Sequence, residues 1–224
     1  MNLKQYIKNK YELNGAVLGT LMGDMCIIKK KYKGENYGNG LFQMTHCDKQ
    51  KEYLEFKKDI LDLHPMIKSK IIERHTFLKS TNKTYLQWQY ISNSNSYATY
   101  MYNRVYKDGI KIINNDILNS LTDFGLFLWY LDDGYLNIRY YKDTNKIKEY
   151  RIFLYTLNFT LDEVKLIKSW FERKYNISPN INKKQNGYIL YFNGSKTREF
   201  MKIINPFYNL VPCLNRKFLK EYID

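Results

Sequence analysis

Apolar residues along this chain change their spacing in an order that occurs twice. They are dense from about Leu13 to Asp24, densest in V-L-G-T-L-M-G-D-M from Val17 to Met25, and dense again in L-F-L-W-Y-L-D-D-G from Leu126 to Gly134. Both runs fall well short of the roughly 20 apolar residues that span a bilayer. They read as short buried helices, closing on Asp24 and Asp133. After the first run, Cys26 to Tyr32 and Leu41 to His46 read as a strand pair across a glycine-rich turn. A helix is expected from Lys49 to about Leu61, with Asp48 as its N-cap and Tyr53, Leu54, Phe56, Ile60 and Leu61 on one apolar face. Ile71 to Leu78 and Thr84 to Ile91 form a hairpin around Ser80, Thr81 and Asn82, and a helix from Tyr97 to Lys107 stops at Asp108-Gly109.

The second run is followed by the same series. Strands are expected at Tyr135 to Tyr141 and Arg151 to Leu157, and a helix from Leu161 to Tyr175 behind Thr160. A hairpin from Asn180 to Phe192 turns at Asn186-Gly187, and a last helix covers Ser195 to Ile204. Each half therefore reads αββαββα, with residues 1–112 as one half and 113–224 as the other. The fold class is α+β, with two pseudo-symmetric halves whose antiparallel sheets make a saddle around the paired apolar helices.

The carboxylates change the picture from packing to chemistry. An aspartate in the last turn of a helix faces the negative end of the macrodipole, at a cost of roughly 0.3–1 kcal/mol. Two such placements point to a positive charge between them, most simply a divalent cation. Gly15, Gly19 and Gly23 recur at every fourth residue and line one helix face. Interior helix glycine costs roughly 1 kcal/mol against alanine, so this stripe implies close approach of another backbone.

With these residues in view, the two segments resemble the paired signatures of the LAGLIDADG homing endonucleases, in the single-chain form that carries both copies. The resemblance places the eighth motif position, the metal-binding acid, on Asp24 and Asp133, 133 − 24 = 109 residues apart. Gly134 matches the ninth position and Met25 departs from it. Leu128 and Trp129 are bulkier than usual, so packing is expected to lean on the glycines of the first helix. Asp132 competes with Asp133 for the role, and motif position favours Asp133. The resemblance further implies a basic residue beside each acid. Lys111 and Lys217 stand at similar offsets, 111 − 24 = 87 and 217 − 133 = 84, with Arg216 as runner-up in the second half. The implied partner is double-stranded DNA, bound by a monomer with internal pseudo-twofold symmetry. Magnesium suits the hard carboxylate and helix-end carbonyl oxygens, with manganese as a substitute. The implied reaction hydrolyses one phosphodiester in each strand across the minor groove, leaving short 3′ overhangs on a long asymmetric site. A splicing maturase of the same fold, or a binding protein that does not cut, is the alternative.

Charge and strand alternation agree with a polyanion. Lys and Arg number 36 against 22 acids, a net charge of +14 spread along the whole chain. Gln87 and Gln89 alternate with apolar residues in one strand, and Asn137, Arg139 and Tyr141 alternate with Leu136, Ile138 and Tyr140 in another. Together with Gln43, these are side chains able to reach base edges. Lys183 is expected to touch phosphate, and the family places Lys30 and Tyr32 on DNA as well. Cys26, Cys47 and Cys213 are isolated, so reduced thiols and an intracellular setting are expected, either a bacterial or phage-infected cytoplasm or an organelle. His46, His64 and His75 lack zinc-ligand spacing, which argues against a zinc-histidine nuclease. No amphipathic basic helix suggests a membrane surface.

Overall fold

The computed structural model describes residues 3–32, 35–144 and 146–219, with the side chains of residues 30–32 and 35–36 outside that description. Helix α1 spans Lys10–Met22 and α5 spans Asp123–Asp133. Asn9 accepts from the Glu12 N–H to open α1, and Thr122 accepts from the Gly125 N–H to open α5. Both helices are buried nearly all round, which is why their pattern looked continuous rather than amphipathic.

They lie against each other through glycine. A methyl at Gly19 would run into the Gly125 carbonyl, one at Gly125 into the Gly15 carbonyl, and one at Gly15 into the Thr122 side chain. The second helix thus contributes its own glycine, just ahead of the motif, and the contact does not rest on the first stripe alone. Its bulky Phe127, Leu128, Trp129 and Tyr130 are all fully buried.

Two four-stranded antiparallel sheets repeat one design. The first contains β1 (Cys26–Tyr32), β2 (Glu35–Cys47), β3 (Ser69–Leu78) and β4 (Lys83–Ser92), in the order β1-β2-β4-β3. The second contains β7 (Gly134–Tyr140), β8 (Ile147–Tyr155), β9 (Asn180–Lys184) and β10 (Gly187–Asn193), in the order β7-β8-β10-β9. Helices α2 (Lys51–Leu61) and α3 (Ser96–Val105) cover one face of the first sheet, while α6 (Leu161–Tyr175) and α7 (Ser195–Ile204) cover one face of the second. The αββαββα order expected for each half is therefore present twice. The sheet-edge strands β1 and β7 start directly after the ends of α1 and α5.

The elements depart from expectation in a few places. Asp48 does not cap α2. A 3-10 turn, Asp48–Gln50, comes first, and the Asp48 carboxylate accepts from the Trp88 indole at 2.8 Å. Helix α3 ends at Val105, because Asp108 (φ 52°) and Gly109 (φ 80°) turn a small hairpin of β5 (Tyr106–Lys107) and β6 (Ile110–Lys111). A short helix α4, Asn115–Ser120, precedes α5 and carried no clear periodic signal. The β9–β10 turn is Gln185-Asn186, one residue earlier than the Asn-Gly pair suggested, with Gly187 at φ 144° opening β10. Thr160 does open α6, through a capping box with Glu163. Among the described residues, no helix is long and apolar enough to cross a membrane.

Candidate active site

The two motif acids come to the joined ends of α1 and α5. Asp133 is the last residue of its helix, whereas α1 stops at Met22, Gly23 caps it, and Asp24 lies in the turn beyond. The expectation that Asp24 closes the helix itself is thus corrected: the helix ends at Met22, two residues earlier, with Gly23 as its cap. Burial, Asp132 and Asp24 push the Asp133 carboxyl up to about 7. Burial and then Asp132 raise Asp24, against the pull of Lys57, Lys217 and Lys111. Acidic groups held above their ordinary range by burial and mutual repulsion form a site that gains from an added cation.

Both lysines expected beside the acids are there. Lys111 on β6 donates to the Gly23 carbonyl at 2.9 Å. Lys217, at the end of a 3-10 stretch Pro212–Lys217, donates to the Leu131 carbonyl at 2.6 Å and the Asp132 carbonyl at 3.3 Å. Each ammonium thus sits on the carbonyl end of the motif helix in its own half, where the macrodipole is negative. A carbonyl oxygen has two lone pairs, so accepting from lysine still leaves each of these helix-end carbonyls one for a metal. Burial lowers both lysines, Lys217 to about 8. Arg216 is exposed and donates to the Cys213 carbonyl instead.

Asp132 is not a second candidate at the same site. Its side chain is fully buried, with Oδ1 2.5 Å from the Lys57 Nζ and accepting from the Tyr53 hydroxyl at 2.8 Å. Its Oδ2 accepts the Asp24 backbone N–H at 3.0 Å. The carboxylate fills the space a side chain at Gly23 would need. Lys57 also reaches the His46 Nε2 at 3.2 Å, and His46 Nδ1 faces Gln50 Oε1 at 3.3 Å and Asp24 Oδ2 at 3.9 Å. Burial first, then Lys57, lowers His46 to about 4. Ligand-type atoms of Asp24, His46 and Asp132 lie within 4.8 Å of one another. A cation cage is a poor description of that trio, because both Asp132 oxygens are already committed. Asp24 and Asp133 offer the hard carboxylate oxygens that a cation such as magnesium takes.

Lys57 and Tyr53 were not singled out for this site from the sequence, and His46 only as the end of a strand near it. The signal was present: Lys57 stands between Tyr53, Leu54, Phe56, Ile60 and Leu61 on the buried stripe of α2, where a charge requires a partner.

The face of each sheet turned away from the helices carries most of the expected readers. Gln43, Thr45 and Cys47 on β2 pair with Ile91, Gln89 and Gln87 on β4, opposite in face to the buried Phe42, Met44 and Tyr90. Gln89 is nevertheless buried, donating to the Thr45 hydroxyl at 3.4 Å, and Gln87 accepts from Thr76 at 2.7 Å. In the second sheet Asn137 and Arg139 share their face with Arg151, Phe153 and Tyr191. Tyr141 lies beyond β7, which ends at Tyr140 after a register shift. Lys183 requires a correction. It pairs with Tyr188, while its neighbours Asn182 and Lys184 pair with Ile189 and Gly187 on the face of Asn137 and Arg139. Two adjacent lysines hide their register until a partner strand fixes it. Lys30 and Tyr32 belong to β1, but their side chains lie outside the described residues.

A family model described as the LAGLIDADG DNA endonuclease family matches residues 14–200. The chain belongs to the LAGLIDADG family. It is 24% identical over 205 residues to "Probable intron-encoded endonuclease 1" of Wickerhamomyces canadensis, covering 91% of this chain and 82% of that protein. It is 25% identical over 209 residues to "Cytochrome b mRNA maturase bI2" of Debaryomyces hansenii, covering 92% and 73%. Its fold is that of the homing endonuclease I-WcaI, solved with its DNA recognition sequence. The TM-score is 0.77, with 22% identity and coverage of 96% and 89%.

Proposed function

We propose that this LAGLIDADG protein is a site-specific double-stranded DNA endonuclease. It acts as a monomer, with its halves dividing near residue 112, and cuts one phosphodiester in each strand across the minor groove to leave short 3′ overhangs. One observation carries the reading: two carboxylates raised by burial and two partly buried lysines meet at the joined ends of the motif helices. Binding DNA alone has no use for acids beside phosphate, since the groups that hold phosphate are cations and neutral hydrogen-bond donors. A relative named as an intron-encoded endonuclease supports the same reading.

Asp24 and Asp133 would hold magnesium, or manganese in its place, which supplies a Lewis acid at the phosphate and a more acidic water. Lys111 and Lys217 place positive charge beside the acids and can stabilise charge that builds on the phosphate. Lys217, near 8, is in the range where one group can both hold and release a proton near neutral pH. The outward sheet faces, with Gln43, Gln87, Asn137, Arg139 and Lys184, would position and read the duplex on either side. A relative named as a maturase keeps open an RNA-splicing role on this fold. The deciding assay incubates the protein with DNA from its own insertion locus, with and without magnesium. Magnesium-dependent linear product with 3′ overhangs is expected; intact DNA with tight binding would favour the maturase reading.

A further inference from the structure

The outward face of the second sheet is aromatic where it comes closest to the acids. Tyr135 follows Asp133 by two residues and pairs with Phe153, which pairs in turn with Tyr191. Paired residues share a face, so one row of rings crosses β7, β8 and β10. Ring centroids are 6.3 Å apart for Tyr135 and Phe153, with planes 26° apart, and 6.1 Å apart at 33° for Phe153 and Tyr191. The next row adds Tyr155, paired with the buried Ile189. Tyr135 is 50% exposed and Tyr155 41%, so the patch reaches solvent. The matching row of the first sheet, which also starts two residues after its acid, is Cys26, Gln43, Ile91 and Lys70. The two halves thus share a frame and differ in the chemistry they present.

An exposed apolar patch with a polar rim marks an interaction site. The rim here is Asn137, Arg151 and Asn193 in the row on one side, with Asn182 and Lys184 on the neighbouring β9. Amides and cations around the rings, on a chain of net charge +14, fit a polyanion that also offers apolar points. Duplex DNA is such a partner, because thymine projects its C5 methyl into the major groove while the other base edges there present donors and acceptors. Phe153, in the middle of the row, has no polar atom. A guanine, adenine or cytosine edge set against it would give up water without gaining a hydrogen bond, whereas a methyl gives up none.

We propose that Tyr135, Phe153 and Tyr191 form an apolar subsite that reads thymine methyl groups in the half of the target bound by the second sheet. The first sheet meets its half at the same place with the amide of Gln43 instead, so the target is asymmetric in the chemistry by which it is read. The inference rests on the site-specific DNA reading above and is independent of cleavage.

The test measures binding by the full chain without magnesium. Selection from random duplexes gives the preferred site, and each thymine in it is then replaced in turn by uracil, which pairs with adenine in the same way and lacks only the C5 methyl. At one or more positions within one half of the site, uracil should weaken wild-type binding by about fourfold, the worth of one buried methyl. Phe153→Gln copies the Gln43 of the first sheet. With that variant, uracil at the same positions should cost nothing, and a fresh selection should move them away from thymine. If thermal unfolding shows that Phe153→Gln does not fold, Tyr135→Gln, at a half-exposed position, supplies the same comparison. Equal binding of uracil and thymine at every position by the wild type would overturn the proposal and leave site-specific DNA binding standing. So would a uracil penalty of the same size in wild type and variant. Failure of the wild type to select any sequence would remove the site-specific reading itself, and the proposal with it.

Discussion

The guanidinium of Arg139 lies 2.9 Å from the carboxylate of Glu149, which also holds Arg151 at 2.8 Å. One acid thus aims two arginines on the outward face of the second sheet, and fixing a long side chain before DNA arrives lowers the entropy lost on binding. Arg139→Ala is expected to relax preference at one or two base pairs, by about 1–3 kcal/mol of discrimination. Glu149→Gln should release both guanidiniums and raise non-specific affinity while blurring the same positions. Binding-site selection on both variants checks this, and an unchanged preferred sequence with Arg139→Ala would refute the reader role.

Lysines 183 and 184 separate by face. Lys184→Ala should weaken binding to all sequences alike and reduce the slope of log affinity against log salt by about 1. Lys183→Ala, on the helix-covered side, should leave that slope unchanged. A salt titration of DNA affinity for the two variants distinguishes them, and the reverse result would put the register in error.

The acids should separate binding from cutting. Asp24→Asn or Asp133→Asn removes charge with little change of volume, so double-strand cleavage should disappear while metal-free DNA binding stays largely intact. Wild-type linearisation of a plasmid substrate by either variant would rule out the assignment.

Protonation gives the metal-free protein an unusual pH response. Asp133 near 7 is raised above its unfolded value, so its charged form is disfavoured on folding. Its burden on stability is full above pH 7 and is relieved as pH falls from about 7 towards 4. His46 near 4 lies below its unfolded value, so its contribution is present above pH 6.5 and is lost as pH falls from about 6.5 to 4. The two slopes oppose each other between pH 6.5 and 4. Thermal unfolding of Asp133→Asn should therefore fall more steeply with acid across that window than wild type. Metal affinity, which needs the deprotonated carboxylate, should rise as pH passes through 7. Parallel unfolding curves for variant and wild type would contradict the raised carboxyl.

Helix contact is the most direct matter for stability. Gly19→Ala places a methyl against the Gly125 carbonyl, and overpacking of this kind costs about 1–3 kcal/mol. For a chain of this size that corresponds to roughly 2–12 °C in Tm, at about 2–4 °C per kcal/mol. Differential scanning calorimetry provides the number, and an unaltered midpoint would mean that the backbones separate without penalty.

Much of this protein is written locally. The dense apolar runs ending in Asp24 and Asp133, the Thr160-x-x-Glu163 cap and the alternation of Leu136 and Ile138 against Asn137 and Arg139 all depend on neighbours within a few residues, so the twofold αββαββα order and both motif acids could be read in one dimension. Lys111 and Lys217 were reachable through the family resemblance and their similar offsets of 87 and 84 from the motif acids. Other features depend on which residues meet across long separations. Asp132 differs from Asp133 because Lys57 and Tyr53, 75 and 79 residues away, claim its oxygens. Lys184 faces outward and Lys183 does not because β10 fixes their register. His46 is fixed between Lys57 and Gln50 because α2 and the turn before it pack against the end of β2. Short-range periodicity sets which element forms and which face it buries; the partner of a buried charge is chosen by packing between elements, and that choice exists only once the chain has folded.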